Sequence, residues 1–152
     1  MNDYFHKKLE MTTDPSDVHA DFENGVDTFI LIDARSPENF AREHVPGAIN
    51  LPHRTISAET TASLDRAKTL ITYCDGNGCN GSTKAAAKLS ELGFRVKEML
   101  GGIDWWKRDG YDVHPLVILS RADGEGPLGT MPDASQVLPV RFAHRQDDRC
   151  GC

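Results

Sequence analysis

The sequence predicts an α/β fold, with a parallel sheet of about five strands sandwiched by helices and an irregular C-terminal tail. Three observations carry this expectation. Short apolar, β-branched runs alternate with helix-patterned segments throughout residues 12–112. The run Thr28–Arg35 is nearly continuously apolar, as a strand covered on both faces must be. Two helix starts carry a cap residue and then a proline, at Asp14-Pro15 and Ser36-Pro37.

Taken in order, residues 4–11 fit either a short edge strand or one helical turn. Thr13-Asp14-Pro15 opens a helix with acidic residues in its first turn; Val18 and Phe22 share one face, and Asn24-Gly25 stops it. The strand Thr28–Arg35 follows. Ser36 caps the next helix, and Val45-Pro46-Gly47 breaks it. Ala48–Pro52 is a short strand that Pro52 ends or confines to a sheet edge. Residues 53–67 are polar, with weak helical character over Thr60–Ala67. Thr69–Tyr73 is a buried strand. Ser82–Leu92 is a helix with Ala85, Leu89 and Leu92 on one stripe and Gly93 as its stop. Val96–Leu100 is a further strand, Gly101-Gly102 a turn, and Ile103–Gly110 a short helix whose two tryptophans are expected to pack on the sheet.

After His114-Pro115 the character changes. Leu116–Leu119 is a brief apolar run, one extra strand at most, and residues 120–136 are rich in Gly, Pro, Asp and Ser. The expected organisation is one domain over residues 1–115 and a mostly irregular extension over residues 116–152. A net charge of −6 argues against a nucleic-acid partner, which needs a basic face. No apolar run approaches the roughly 18 residues that span a bilayer, so no membrane partner is expected. The first residues lack an apolar secretory core, and a cytoplasmic location is the default expectation.

The chemistry is concentrated in Thr69–Ala87, a strand, a glycine-rich loop and a helix N-terminus. Cys74 stands where the strand ends. Asp75, Gly76, Asn77, Gly78, Cys79, Asn80, Gly81 and Ser82 follow as a loop able to wrap backbone N–H groups around a sulfur atom. Such N–H groups, with a helix dipole behind them, favour a thiolate. Cys74 is therefore the expected nucleophile. Four cysteines, Cys74, Cys79, Cys150 and Cys152, form two local pairs, and in a reducing compartment such clusters point to redox, metal or catalytic work. Their spacings do not match the usual zinc knuckles, and no metal is expected.

From about Thr12 to Tyr111 the chain resembles a single rhodanese homology domain, closest to the small phage-shock-protein-E-like members. The resemblance rests on Leu31–Glu38, His44–Pro52, Ile71–Cys74, Ser82–Ala86 with Leu89 and Gly93-Phe94, and Gly101–Trp106. It implies a persulfide on Cys74 and a ping-pong sulfurtransferase. A small-molecule donor such as thiosulfate or a persulfide would give sulfane sulfur to Cys74, and a thiol or cyanide would accept it, without a cofactor. One departure stands out. Where the family's loop has an arginine before the helix-opening serine, this chain has Gly81, and the loop is about two residues longer and carries Cys79. A phosphatase on this fold needs that arginine as a bidentate clamp, so the substitution argues against phosphatase chemistry. Lys84 is a candidate substitute as a point charge.

Several readings stay open. Cys79 is a resolving thiol for Cys74, a second nucleophile or a loop thiol with no role. Asp33 and Arg35 either orient the loop and substrate or form an ion pair that fixes the strand end. His44 is expected to be structural, hydrogen-bonded in its turn, and His53 has only weak ties to the site. The alternative to sulfur transfer is a non-catalytic or redox-sensing module built on a Cys74/Cys79 dithiol. A Cys74 sulfur at the centre of an open nest would favour transfer; a Cys74 sulfur bonded to Cys79 would favour the redox module.

Overall fold

The structure, a computed structural model, describes residues 3–115. The expected strand at Leu116–Leu119, the extension and the Cys150/Cys152 pair lie outside the described residues. Ten helices and strands run in the order α1 (Tyr4–Met11), β1 (Thr12–Thr13), α2 (Pro15–Glu23), β2 (Phe29–Asp33), α3 (Pro37–Arg42), β3 (Ile49–Asn50), β4 (Thr69–Tyr73), α4 (Gly81–Glu91), β5 (Val96–Met99) and α5 (Gly102–Arg108). The strands form one parallel sheet ordered β1-β5-β4-β2-β3.

The strand order follows from hydrophobicity. β4 is central, with Leu70, Ile71, Thr72 and Tyr73 all buried. Its neighbour β2 pairs with it over five residues, from Phe29 opposite Thr69 to Asp33 opposite Tyr73. Alternation then sends Leu31, Ile71 and Tyr73 to one face, where Val18 of α2 and Ile103 and Trp106 of α5 cover them. Ile32 and Leu70 go to the other face against Ala85 and Leu89 of α4 and Phe94. Each such fully buried side chain contributes about 1.5–3 kcal/mol. β3, the two-residue strand that Pro52 limits, is an edge, as expected.

The caps work as the sequence predicts. Asp14 accepts the N–H of Asp17, and Ser36 accepts that of Asn39, each ahead of a proline in the first turn. Two regions differ from expectation. Residues 4–11 form an eight-residue helix with none of its residues buried, and the edge strand comes just after it. Residues 60–67 form turns rather than a helix; Ser57 and Thr60 hydrogen-bond each other's backbone N–H groups, which competes with helical pairing. A short 3₁₀ turn spans His53–Thr55 instead.

Candidate functional site

Cys74 is the first residue after β4, at the carboxyl end of the central strand, where parallel sheets place their ligand crevices. It is 2% exposed. Its backbone is held from the side by the turn into α5. The carbonyl of Cys74 accepts the N–H of Ile103 at 3.0 Å, and that of Asp75 accepts the N–H of Asp104 at 2.8 Å. This approach requires a glycine at 102. Its φ is +57°, and a Cβ there would stand 2.2 Å from the Cys74 carbonyl oxygen.

The loop then turns outward. Gly78 has φ +91°, and the N–H of Cys79 donates to the carbonyl of Gly76 at 3.2 Å. The turn folds Cys79 back onto Cys74, and the two sulfurs form a disulfide with a Cα–Cα separation of 6.3 Å. Asn77, Gly78 and Asn80 are exposed. The far end of the loop is anchored at α4. Thr72 Oγ1 donates to the Ser82 carbonyl at 3.0 Å, while Ser82 Oγ and Thr83 Oγ1 both donate to Glu98 Oε1, at 2.6 and 2.8 Å.

Asp33 and Arg35 form the expected ion pair and also orient the loop. Arg35 is 3% exposed and Asp33 is fully buried. The guanidinium donates through Nε and Nη2 to both Asp33 oxygens, Nη2 also reaches the Glu43 carbonyl, and Nη1 reaches Asp75 Oδ1 at 3.1 Å. Tyr73 completes the network, its hydroxyl donating to Asp33 Oδ2 at 2.7 Å and accepting the N–H of Val45. Burial alone pulls the Arg35 pKa down, but its hydrogen bonds and charge interaction with Asp33, with help from Tyr73 and Asp75, outweigh this and raise it. Burial first, and then the Asp33 carboxylate, push the Tyr73 phenol well above its ordinary value. Arg35 therefore stays a buried cation whose guanidinium is engaged by the Asp33 and Asp75 carboxylates.

Two cavities adjoin the loop. A small one of about 100 Å³ is lined by Cys74, Cys79, Ser82, Glu98, Met99 and loop and turn glycines. An open groove of about 400 Å³ lies beside it, with Asn77, Leu100 and Trp105 as its contact surfaces and Asp14 and Asp109 as its charges. Lys84 is exposed on α4 and lines neither cavity. Trp105 corrects the expectation that both tryptophans pack on the sheet. Trp106 does, at 2% exposed, but Trp105 is 42% exposed and forms a wall of the groove. His44 is structural as expected, its Nδ1 2.8 Å from the Phe40 carbonyl and its backbone paired with His114.

Cys74 Sγ, Cys79 Sγ and an Asp75 oxygen lie within 4.8 Å of one another, a set of metal-ligating atoms. The disulfide uses up both thiolates that such binding would need. Glu98, Gly102, Tyr73 and Trp105 are the site residues that the sequence did not single out. Gly101-Gly102 signals a turn, but that it backs onto Cys74 depends on long-range packing. Nothing local distinguishes Glu98 from its strand neighbours.

Comparison with known proteins agrees with this geometry. The family profile for the rhodanese-like domain matches residues 14–109. Thiosulfate sulfurtransferase PspE of Escherichia coli is 38% identical over 73 residues, spanning 47% of this chain and 68% of that protein. Thiosulfate sulfurtransferase GlpE of Pseudomonas syringae is 33% identical over 79 residues, 51% of this chain and 72% of that one. A crystal structure of a Bacillus halodurans protein, 44% identical, superposes with a TM-score of 0.71 over 72% of this chain and 80% of its own.

Proposed function

The chain belongs to the rhodanese-like domain family, and from that premise we propose that it is a sulfurtransferase working through a persulfide on Cys74. The observation that carries this reading is the placement of Cys74. It is a buried cysteine at the end of the central strand, fixed by the α5 turn and followed by a loop that leads into the N-terminus of an eleven-residue helix. The first amides of α4 lack intrahelical acceptors and carry the positive end of its dipole, which favours a sulfur anion in front of them.

With the disulfide reduced, the Cys74 thiolate attacks the outer sulfur of a donor. The donor's S–S bond breaks and its remainder leaves with the electron pair, as sulfite from thiosulfate or as a thiolate from a persulfide. The resulting Cys74 persulfide anion is stabilised by the loop and helix amides. An acceptor thiolate then attacks the outer sulfur and Cys74 leaves as thiolate.

The groove shapes the donor preference. It presents Asp14 and Asp109, Gly81 replaces the family's arginine, and Lys84 lies outside it. Among the described residues no arginine lines the groove to meet a dianion such as thiosulfate, so a low-molecular-weight persulfide is the better donor. The same absence of a guanidinium clamp argues against phosphatase chemistry.

Mass spectrometry of the reduced protein after thiosulfate or persulfide treatment tests the reading. Cys79→Ser, which keeps Cys74 and lacks the neighbouring thiol, is expected to take up one sulfur atom and Cys74→Ser none. Sulfur uptake by Cys74→Ser, with none by Cys79→Ser, would move the nucleophile to Cys79 and overturn the assignment. The bond between Cys74 and Cys79 is the outcome stated above as favouring a redox-sensing module without transfer activity, and it supports that module as a second reading. Rapid, reversible disulfide formation, with no sulfur uptake by Cys79→Ser from either donor and no hydrosulfide released by wild type, would select it.

A further inference from the structure

The pairing of Cys79 with Cys74 has a chemical meaning beyond protection of a thiol. We propose that Cys79 is the resolving residue of the site, releasing the transferred sulfur as hydrosulfide, so that the protein is a sulfane-sulfur reductase that draws on an external dithiol. The proposal rests on the Cys74 persulfide assigned above.

Three observations carry it. First, the loop brings Cys79 to the inner sulfur of Cys74, the atom it is bonded to in the structure. A thiol reaching only the outer sulfur of a persulfide would accept that sulfur; one that reaches the inner sulfur displaces it. Second, this reach is built by local backbone. Gly78 supplies the left-handed turn, and the Cys79 N–H to Gly76 carbonyl bond closes it. The posts on either side, Asp75 and Ser82, are tied to α5, Arg35 and Glu98. The turn between them is what sets Cys79 against Cys74, whose own backbone is held by the α5 turn. Third, the cavity of about 100 Å³ that both cysteines line has room for one more small atom, since on this measure a water-sized occupant needs only about 10–15 Å³.

The step balances without further reagents. Cys79 attacks Cys74 Sγ, a new Sγ–Sγ bond forms, and the bond from Cys74 Sγ to the outer sulfur breaks. The outer sulfur takes the electron pair and the Cys79 proton and leaves as hydrosulfide. The sulfane sulfur is reduced and the two cysteines are oxidised to the observed disulfide. A dithiol of the reductant class then reopens the pair by thiol–disulfide exchange through a mixed disulfide. Over one cycle a sulfane donor and a dithiol yield hydrosulfide, the donor remainder and an oxidised dithiol.

The test is a single turnover of the full-length protein, reduced, freed of reductant and kept anaerobic, with one equivalent of a low-molecular-weight persulfide. Wild type is expected to release one equivalent of hydrosulfide and to end lighter by two hydrogens, with peptide mapping placing the disulfide between Cys74 and Cys79. Cys79→Ser and Cys79→Ala are expected to keep the added sulfur and to release none until a thiol is supplied. If wild type instead retains the sulfur like the two variants, or if its disulfide involves Cys150 or Cys152, the resolving role is overturned while the Cys74 persulfide stands. If Cys79→Ser and Cys79→Ala take up no sulfur and wild type releases no hydrosulfide, both readings fall together.

Discussion

Replacing Arg35 with methionine tests whether the buried charge network holds the strand end. The substitution removes three guanidinium contacts to Asp33, the Nη2 bond to the Glu43 carbonyl and the Nη1 bond to Asp75. Asp33 is fully buried and keeps the Tyr73 hydroxyl and the backbone N–H of residue 35, but no countercharge. Breaking a buried pair in this way costs about 3–5 kcal/mol. The Asp75 arm adds less than about 1 kcal/mol, because its partner side chain is 40% exposed and screened. At about 4 °C per kcal/mol the melting temperature falls on the order of 12–20 °C. Urea unfolding of Arg35→Met, Asp33→Asn and the double variant closes the cycle. The double is expected to be more stable than the sum of the singles by at least about 1 kcal/mol, because it removes both charges together. A loss below about 1 kcal/mol for Arg35→Met, or strict additivity in the double, would refute the reasoning.

Gly102→Ala forces a Cβ against the Cys74 carbonyl in a left-handed conformation, and it is expected to cost more than about 2 kcal/mol and to abolish sulfur uptake; wild-type melting and uptake would disprove the backbone contact. Tyr73 is a neutral phenol whose pKa is raised in the fold. Its contribution is therefore fully present below about pH 10, the value of an unfolded tyrosine, and is lost as pH rises above it. Urea midpoints of wild type are expected to fall with pH beyond that point more steeply than those of Tyr73→Phe, which at neutral pH loses about 1–3 kcal/mol by removing one donor to Asp33 and leaving the buried Val45 N–H unpaired. Asp14→Ala deletes the cap of α2 and is expected to cost about 1 kcal/mol by the same measurement.

Much of the fold is visible in the sequence because its signals are local. Asp14-Pro15 and Ser36-Pro37 mark helix starts through their own hydrogen bonds, and continuous apolar runs identify β2 and β4 as doubly covered. The helix at 4–11 is harder to see, since it is short and buries none of its residues, leaving Tyr4, Phe5, Leu9 and Met11 exposed. At the site, Cys74 is found from the loop around it. The partner roles are not, because they are made across the fold. Arg35 reaches Asp75 over forty residues of sequence, Ser82 reaches Glu98, and Gly102 backs onto Cys74. Spacing shows that Cys74 and Cys79 are close, but whether they bond is decided by the turn at Gly78.

The two posts of the loop have a consequence for how this scaffold can be altered. Asp75 and Ser82 are each tied by groups outside residues 76–80, so neither anchor depends on what lies between them. Within that segment, Gly76 packs against Asp104, and Asn77, Gly78 and Asn80 make the exposed outer turn. Closing a loop two residues longer or shorter changes its entropy by only a few tenths of a kcal/mol. A frame of this kind can exchange the reactivity beside a fixed sulfur, dithiol for cation clamp, by swapping a handful of residues while the sheet, the helices and the nucleophile stay where they are.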